Sequence, residues 1–233
     1  MDRSMLHHSR PLVPILLAFC ACFIDVVCIL GLFHTFTAFI TGTLVVLCTE
    51  VFHQGQNAAL KVFVLAVFFG STLFWFVSVT ALVRKNRIAV RHLFALEALL
   101  VAGFMFVAGL GDPSAGGPLS AVTLTAVGFS TVAMSLQNVI MLTLLNRHVP
   151  TTIMTGNTLK LVLGIADYFT HPETRPDSRS RIRHQAFVLM AFAAGGLLAS
   201  FLMTVMGFWA LAIPVALLML LAIVQPVHEP QVA

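Results

Sequence analysis

Residues 186–224 run for 39 positions without one charged side chain, and no other feature restricts the fold as much. A spanning helix needs about 20 apolar residues to cross a hydrocarbon core of about 30 Å. Lipid offers the backbone no hydrogen bonds, so only helices or closed barrels satisfy it there. A run twice the usual span therefore predicts two helices that turn near Met206-Gly207. Further apolar runs lie at 12–33, 59–83, 93–110 and 119–145, which brings the expected spans to six. Soluble domains carry about 25% charged residues, whereas this chain is 59% hydrophobic and 9% charged. It reads as one integral membrane domain over residues 1–233, with no room for a soluble one.

The net charge of +4 would point to nucleic acid in a soluble protein. Here the Lys and Arg cluster between apolar runs, where positive charge sets orientation, and no nucleic-acid partner is expected. The start has the basic head and apolar run of a signal peptide. The run continues to Phe33, however, and Phe19 before Cys20 is bulky for lipoprotein cleavage, so an uncleaved first helix is expected. Cys20, Cys22, Cys28 and Cys48 show no CxxC pair or zinc spacing and read as small apolar filler.

Two shorter apolar segments, 38–52 and 151–169, decide the architecture. If neither crosses, Arg3, Arg10, the "RKNRIAVRH" segment (84–92), Arg147 and "RPDSRSRIR" (175–183) all fall on one side, as the positive-inside tendency requires. If both cross, "RKNR" faces the wrong way. Length agrees, since 43–53 as a helix covers only about 16 Å. Residues 34–41, if extended, could descend roughly 15 Å. Each segment is therefore expected to be re-entrant, a half-helix tolerated at membrane depth only if it is buried or lines a watery cavity.

The two segments also align at an offset of 114 residues: Thr37, Thr41 and Gly42 fall on Thr151, Thr155 and Gly156. With one extra residue upstream, "FIDVV" falls on "LQNVI", which pairs Asp25 with Asn138. Three spans in each half make the second copy inverted, as in many transporters. The expected fold is thus all-α, with six transmembrane helices in two inverted three-helix repeats (about 12–110 and 119–224), each carrying a re-entrant half-helix.

Thr, Asn and Gly favour helix N-caps, so Thr41-Gly42-Thr43 and Thr155-Gly156-Asn157 read as helix starts near the midplane. Facing N-termini carry partial positive charge and unpaired N–H donors, which suits an anionic or polar solute. Lys160 would add positive charge there or snorkel to the surface. Asp25 would neutralise it, line the site or cap a facing half-helix, because an intramembrane ionisable group is a functional candidate by default. Gln137 and Asn138 line the path or bond helix to helix. "GLGD" (109–112) is similar to the GxGD element of intramembrane aspartyl proteases but lacks a matched second aspartate, and it reads as a turn. Glu50 and Glu97 fall at or near span ends and are expected to be solvated, as is the linker 171–184. No HxxxH, GxSxG or phosphate loop occurs, no enzyme is expected, and no cofactor is implied.

On "FIDVV", "FITGTLVVL", "SLQNVI" and "TTIMTGNTLKL" the chain resembles the YoaK-like small bacterial membrane proteins, also described as domain of unknown function 1275. The resemblance covers about 12–224 and implies that Asp25, Thr41-Gly42-Thr43, Gln137-Asn138 and Thr155-Gly156-Asn157 are the family's marked positions. Thr43 stands where the family usually has Asn, and Asn157 where Thr is usual, an exchange that fits pseudo-symmetric roles. The resemblance implies a fold more than an activity. The expectation is a transporter or channel for a small polar or anionic solute in a bacterial inner membrane, multi-pass, with both termini cytoplasmic. The lipid bilayer is the expected partner and self-association stays open. The alternative is a non-transporting membrane scaffold or partner protein.

Overall fold

A computed structural model describes residues 12–52, 57–84, 89–145, 151, 154–171 and 175–224, the side chains of 175–177 excepted. Arg3, Arg10, Lys85, Arg87 and Arg147, which carry much of the orientation argument, lie outside these residues. The described residues are almost entirely helical: α1 (Leu12–Gly31), α2 (Ile40–Phe52), α3 (Ala58–Arg84), α4 (Val90–Gly111), the short α5 (Pro113–Gly116), α6 (Ala121–Thr143), α7 (Met154–Thr170), α8 (Arg175–Met206) and α9 (Ala212–Val224). A 3-10 turn, Gly207–Leu211, joins the last two. No strand occurs among them.

Among the described residues, five stretches are long and apolar enough to cross a membrane: α1, α3, α4, α6 and Ser178–Val224. The long final run breaks where its length demanded, since Gly207 takes φ +56°, a left-handed conformation that costs glycine little. The described part of α9 is 13 residues, about 20 Å. At the α4–α6 connection, Asp112 accepts hydrogen bonds from the amide and hydroxyl of Ser114, which hold its carboxyl below the usual carboxylate range. The "GLGD" element is a capped turn.

Side-chain register gives each helix its direction. With the Leu12 end of α1 as the near end and Gly31 as the far end, α8 runs parallel to α1. Gly195 lies against Phe19, Gly196 against Cys22, and Gly31 against Met203 and Phe208. The Gly195-Gly196 pair lets the two backbones approach closely, a small-residue contact common between membrane helices. Helix α6 is antiparallel to α1, with Gln137 reaching Leu17 and Ser130 meeting Cys28. Helix α4 is antiparallel to α6, because Gly103 meets Phe129 and Gly111 meets Val122. Helix α3 starts at the far end, where Lys61 donates to the carbonyl of Phe33. It descends, since Arg84 at its end lies six residues before Val90 at the near end of α4, and it touches α6 where Ser71 bonds to Ser135 and Trp75 to the carbonyl of Val132. After the 3-10 turn, which covers Gly31 with Phe208 and Gly109 with Trp209, α9 returns along α4.

One apolar core threads α1, α3, α4, α6 and α9, with Phe23, Phe94, Phe104, Leu136 and Ile140 fully buried. Outward, α3 exposes Phe69, Leu73, Phe74, Phe76 and Val77. An apolar surface of that extent suits lipid rather than water.

The α1–α8 contact supplies a stability test. A methyl added at Gly195 would collide with the carbonyl oxygen of Phe19 and stand 3.0 Å from its carbonyl carbon, whereas one added at Gly70 meets nothing within 4 Å. Overpacking costs about 1–3 kcal/mol. Gly195→Ala is therefore expected to lower the melting temperature in detergent and Gly70→Ala to leave it unchanged; equal midpoints would refute this packing.

Candidate functional site: two chain excursions into the bundle

The first excursion starts where α1 ends. Phe33 and His34 take φ +54° and +57°, two left-handed residues that reverse the chain. The carboxylate of Asp25, 2% exposed, then gathers the returning backbone. Its Oδ1 accepts from the amides of Thr37 at 2.7 Å and Ala38 at 2.8 Å and from the Thr37 hydroxyl at 3.2 Å. Its Oδ2 accepts from the amide of Phe39 at 2.9 Å. Thr37 Oγ1 also lies 2.8 Å from Ser130 Oγ, which ties the loop to α6. Asp25 lies six residues before the end of α1, about 9 Å inward, so α2 begins at that depth.

Helix α2 then runs back to the end it came from. Buried Lys61 donates to the carbonyl of Phe33 and lies 3.7 Å from Glu50 Oε1 near the end of α2. One ammonium thus clamps the departure and the return. Glu50 is a paired residue, not the solvated one its position at a predicted helix end implied.

The Thr-Gly element does not cap α2. The helix starts about a turn earlier, and Asp25 supplies the cap from another helix. Thr43 Oγ1 accepts from the amide of Phe36 at 2.8 Å and donates to its carbonyl at 2.6 Å. Gly42 lies under the Phe36 ring, whose nearest carbons would stand 2.9 Å from an added Cβ. Thr41 is exposed. The three residues lock the loop onto the first turn.

The second excursion has a related plan and different chemistry. Gln137 is fully buried. Its amide nitrogen donates to the carbonyl of Leu17 and to Thr151 Oγ1, both at 3.2 Å. Its Oε1 is buried without a hydrogen-bond partner among the described residues. Thr151 is the residue that aligns with Thr37, so Gln137 bonds to the counterpart of the threonine that Asp25 holds. Asn138 donates to the carbonyl of Met134 on its own helix.

Helix α7 begins at Met154, packed with Ala18 and Val188, and Phe39 and Phe192 close on the same cluster. The beginnings of α2 and α7 therefore meet through one apolar patch, with Phe39 and Phe192 edge to face at 5.2 Å. Helix α7 then runs antiparallel to α8 toward the near end, as Gly164 against Ile182 and Asp167 against Ser178 show. Asn157 is buried with its amide 3.8 Å from Met154 Sδ. Thr155 is exposed and Gly156 partly so.

Lys160 stands apart from Asp25. It is exposed and lines a cleft of about 550 Å³ between α7 and α8, with Leu163, Gly164, Asp167, Arg181 and Gln185. Asp167 there accepts from Ser178 at 2.6 Å and lies 3.7 Å from Arg181 and 3.0 Å from His171. Asp25 spends its acceptors on the loop, so it does not neutralise Lys160.

The family model described as a protein of unknown function (DUF1275) matches residues 13–224. The chain belongs to that family. No curated protein and no solved structure matches it. Membership brings no activity with it, and chemistry has to come from the residues just described.

Sequence reasoning missed two of them. Lys61 and Glu97 are fully buried, although Glu97 was expected to be solvated. A single charge inside an otherwise uncharged apolar run was the available signal. The capping geometry generates a direct test. Asp25→Ala strands three amides, and an unpaired buried polar group costs about 1–3 kcal/mol. Hydrogen–deuterium exchange at residues 37–39 is expected to speed up at least tenfold in that variant and less in Asp25→Asn, which keeps one acceptor; unchanged exchange in Asp25→Ala would contradict the cap.

Proposed function

We propose that the chain is a six-span, inverted-repeat protein that moves a small polar or anionic solute across a bacterial cytoplasmic membrane, with α2 and α7 as re-entrant half-helices and both termini cytoplasmic. Helix directions support the repeat. The parallel α1–α8 contact has its counterpart in α6 beside α3, α2 on α3 in α7 on α8, and α4 beside α9 maps onto itself. Asp25 with Thr37 corresponds to Gln137 with Thr151.

The observation that carries the solute reading is the difference between those two pairs. A helix N-terminus acts as roughly half a positive charge and attracts anions. At α2 that place is filled by the protein's own carboxylate, which takes three amides. At α7 the side chain bonded to Thr151 is a neutral amide with an orphaned carbonyl oxygen, and the charge nearer the helix start, Lys160, is positive. The beginning of α7 is therefore the electropositive half of the pair, and Gln137, Thr151 and Asn157 are the polar groups there for a solute to meet. Asp25 keeps the opposite half neutral and in shape.

A rival reading, a non-transporting scaffold or partner of another membrane protein, draws on the same Asp25 bonds, since a capped and buried loop also suits a purely structural role. A thermal-shift screen of the purified protein with small anions and polar metabolites separates the two. A ligand at a hundred times its Kd stabilises the folded state by about 2.7 kcal/mol. Transport predicts at least one stabilising anion or polar metabolite, and vesicle uptake of that compound at least tenfold weaker in Asn157→Leu and in Asp25→Ala. A blank screen favours the scaffold, and normal uptake by well-folded variants removes these residues from the site.

A further inference from the structure

Glu97 is the least compensated group in the bundle. It sits two turns into α4 with no exposed surface, and neither carboxyl oxygen has a hydrogen-bond partner among the described residues. The helices packed on α4 offer it no counter-charge. Helix α6, the 3-10 turn and α9 contain no Asp, Glu, Lys, Arg, His or Cys at all. From α1 the titratable group within electrostatic reach is the buried thiol of Cys20. Asp25, Cys22 and Cys28 complete the titratable groups of α1, and Asp25 is occupied by the loop. On α4 itself Arg91 and His92 lie at the helix start.

An isolated carboxylate in such a place is strongly unfavourable, and in a bilayer the surroundings are no better. A metal ion is a poor remedy. Hard cations take six or more oxygen ligands, and the described residues contain no group of three His, Cys, Asp or Glu that could hold a metal. The ligand whose chemistry fits one carboxyl group without partners is a proton.

We propose that Glu97 is a proton-binding site of the bundle, carrying its proton in the arrangement described and releasing it only when the helices around it open to water. The step is a simple dissociation: the carboxyl O–H bond breaks, the electron pair stays on the oxygen and the proton passes to the entering water. The site stands whether or not the chain moves a solute. Its position adds interest, however: the antiparallel α4–α6 register puts Glu97 close to the height of Gln137, whose orphaned oxygen is another unpartnered polar group among the described residues.

Infrared spectroscopy of the full chain in lipid, paired with amide hydrogen exchange, tests this. The carboxylic C=O stretch of a protonated acid is expected in the native protein in neutral buffer and is expected to be absent, in part, from Glu97→Gln. As pH rises, that part of the band is expected to fade while exchange along α4 accelerates at least tenfold relative to Glu97→Gln at the same pH. If the two proteins have the same band, or if α4 exchanges alike in both at every pH, the proposal is overturned. Should Glu97→Gln fail to fold, Glu97→Met is the reference, since it keeps the unbranched shape and removes the polar atoms. Its melting temperature is expected at or above that of the native chain; a clearly lower one would mark Glu97 as a structural anchor and overturn the proposal.

Discussion

The carboxylate of Asp25 makes the central chain reversal possible. Residues 35–39 enter a region where backbone amides find no water, and every unpaired donor there costs stability. Asp25 takes three of those amides and one hydroxyl, and its charge is compensated by donors aligned with the start of α2. Lys61 supports the arrangement from the other end, holding the carbonyl of Phe33 and facing Glu50. With both ends of the excursion fixed, α1 buries 12 of its 20 residues and packs chiefly on α8.

The two excursions share a plan but differ in charge. The side chain bonded to Thr37 is an aspartate and the one bonded to Thr151 is a neutral glutamine. Substituting one for the other would change little in packing volume and much in what the beginning of α7 attracts. The proposed transport role rests on that difference rather than on the Thr-Gly elements that first drew notice. The first of those elements is a packing feature, Gly42 giving room to the Phe36 ring and Thr43 closing a turn.

Much of the architecture was legible in the chain because lipid imposes a severe rule. Apolar run length and turn position follow from the hydrocarbon thickness, so α1, α3, α4, α6 and the break at Gly207 lie close to where the pattern put them. The site was less legible. Asp25 and Gln137 stood out as polar residues in apolar runs, but which amide each would bond depended on a chain reversal that no local pattern encodes. The alignment pairs Asp25 with Asn138, and the structure adds that Gln137, its neighbour on α6, bonds to Thr151. Lys160 and Asp25 looked like a charge pair on paper and lie in different surroundings.

By itself the sequence determined that this chain is a bundle of membrane-length helices, because backbone hydrogen bonding in lipid leaves few alternatives, and it marked the polar residues that had to be accounted for. Only the tertiary structure decided what those residues do. It turned Asp25 inward to cap α2, buried Glu97 without a partner, and brought the beginnings of α2 and α7 onto one apolar patch through Phe39 and Met154. The physical reason is that burial and hydrogen bonding of a single side chain depend on which helices pack around it, and those contacts join residues a hundred or more positions apart.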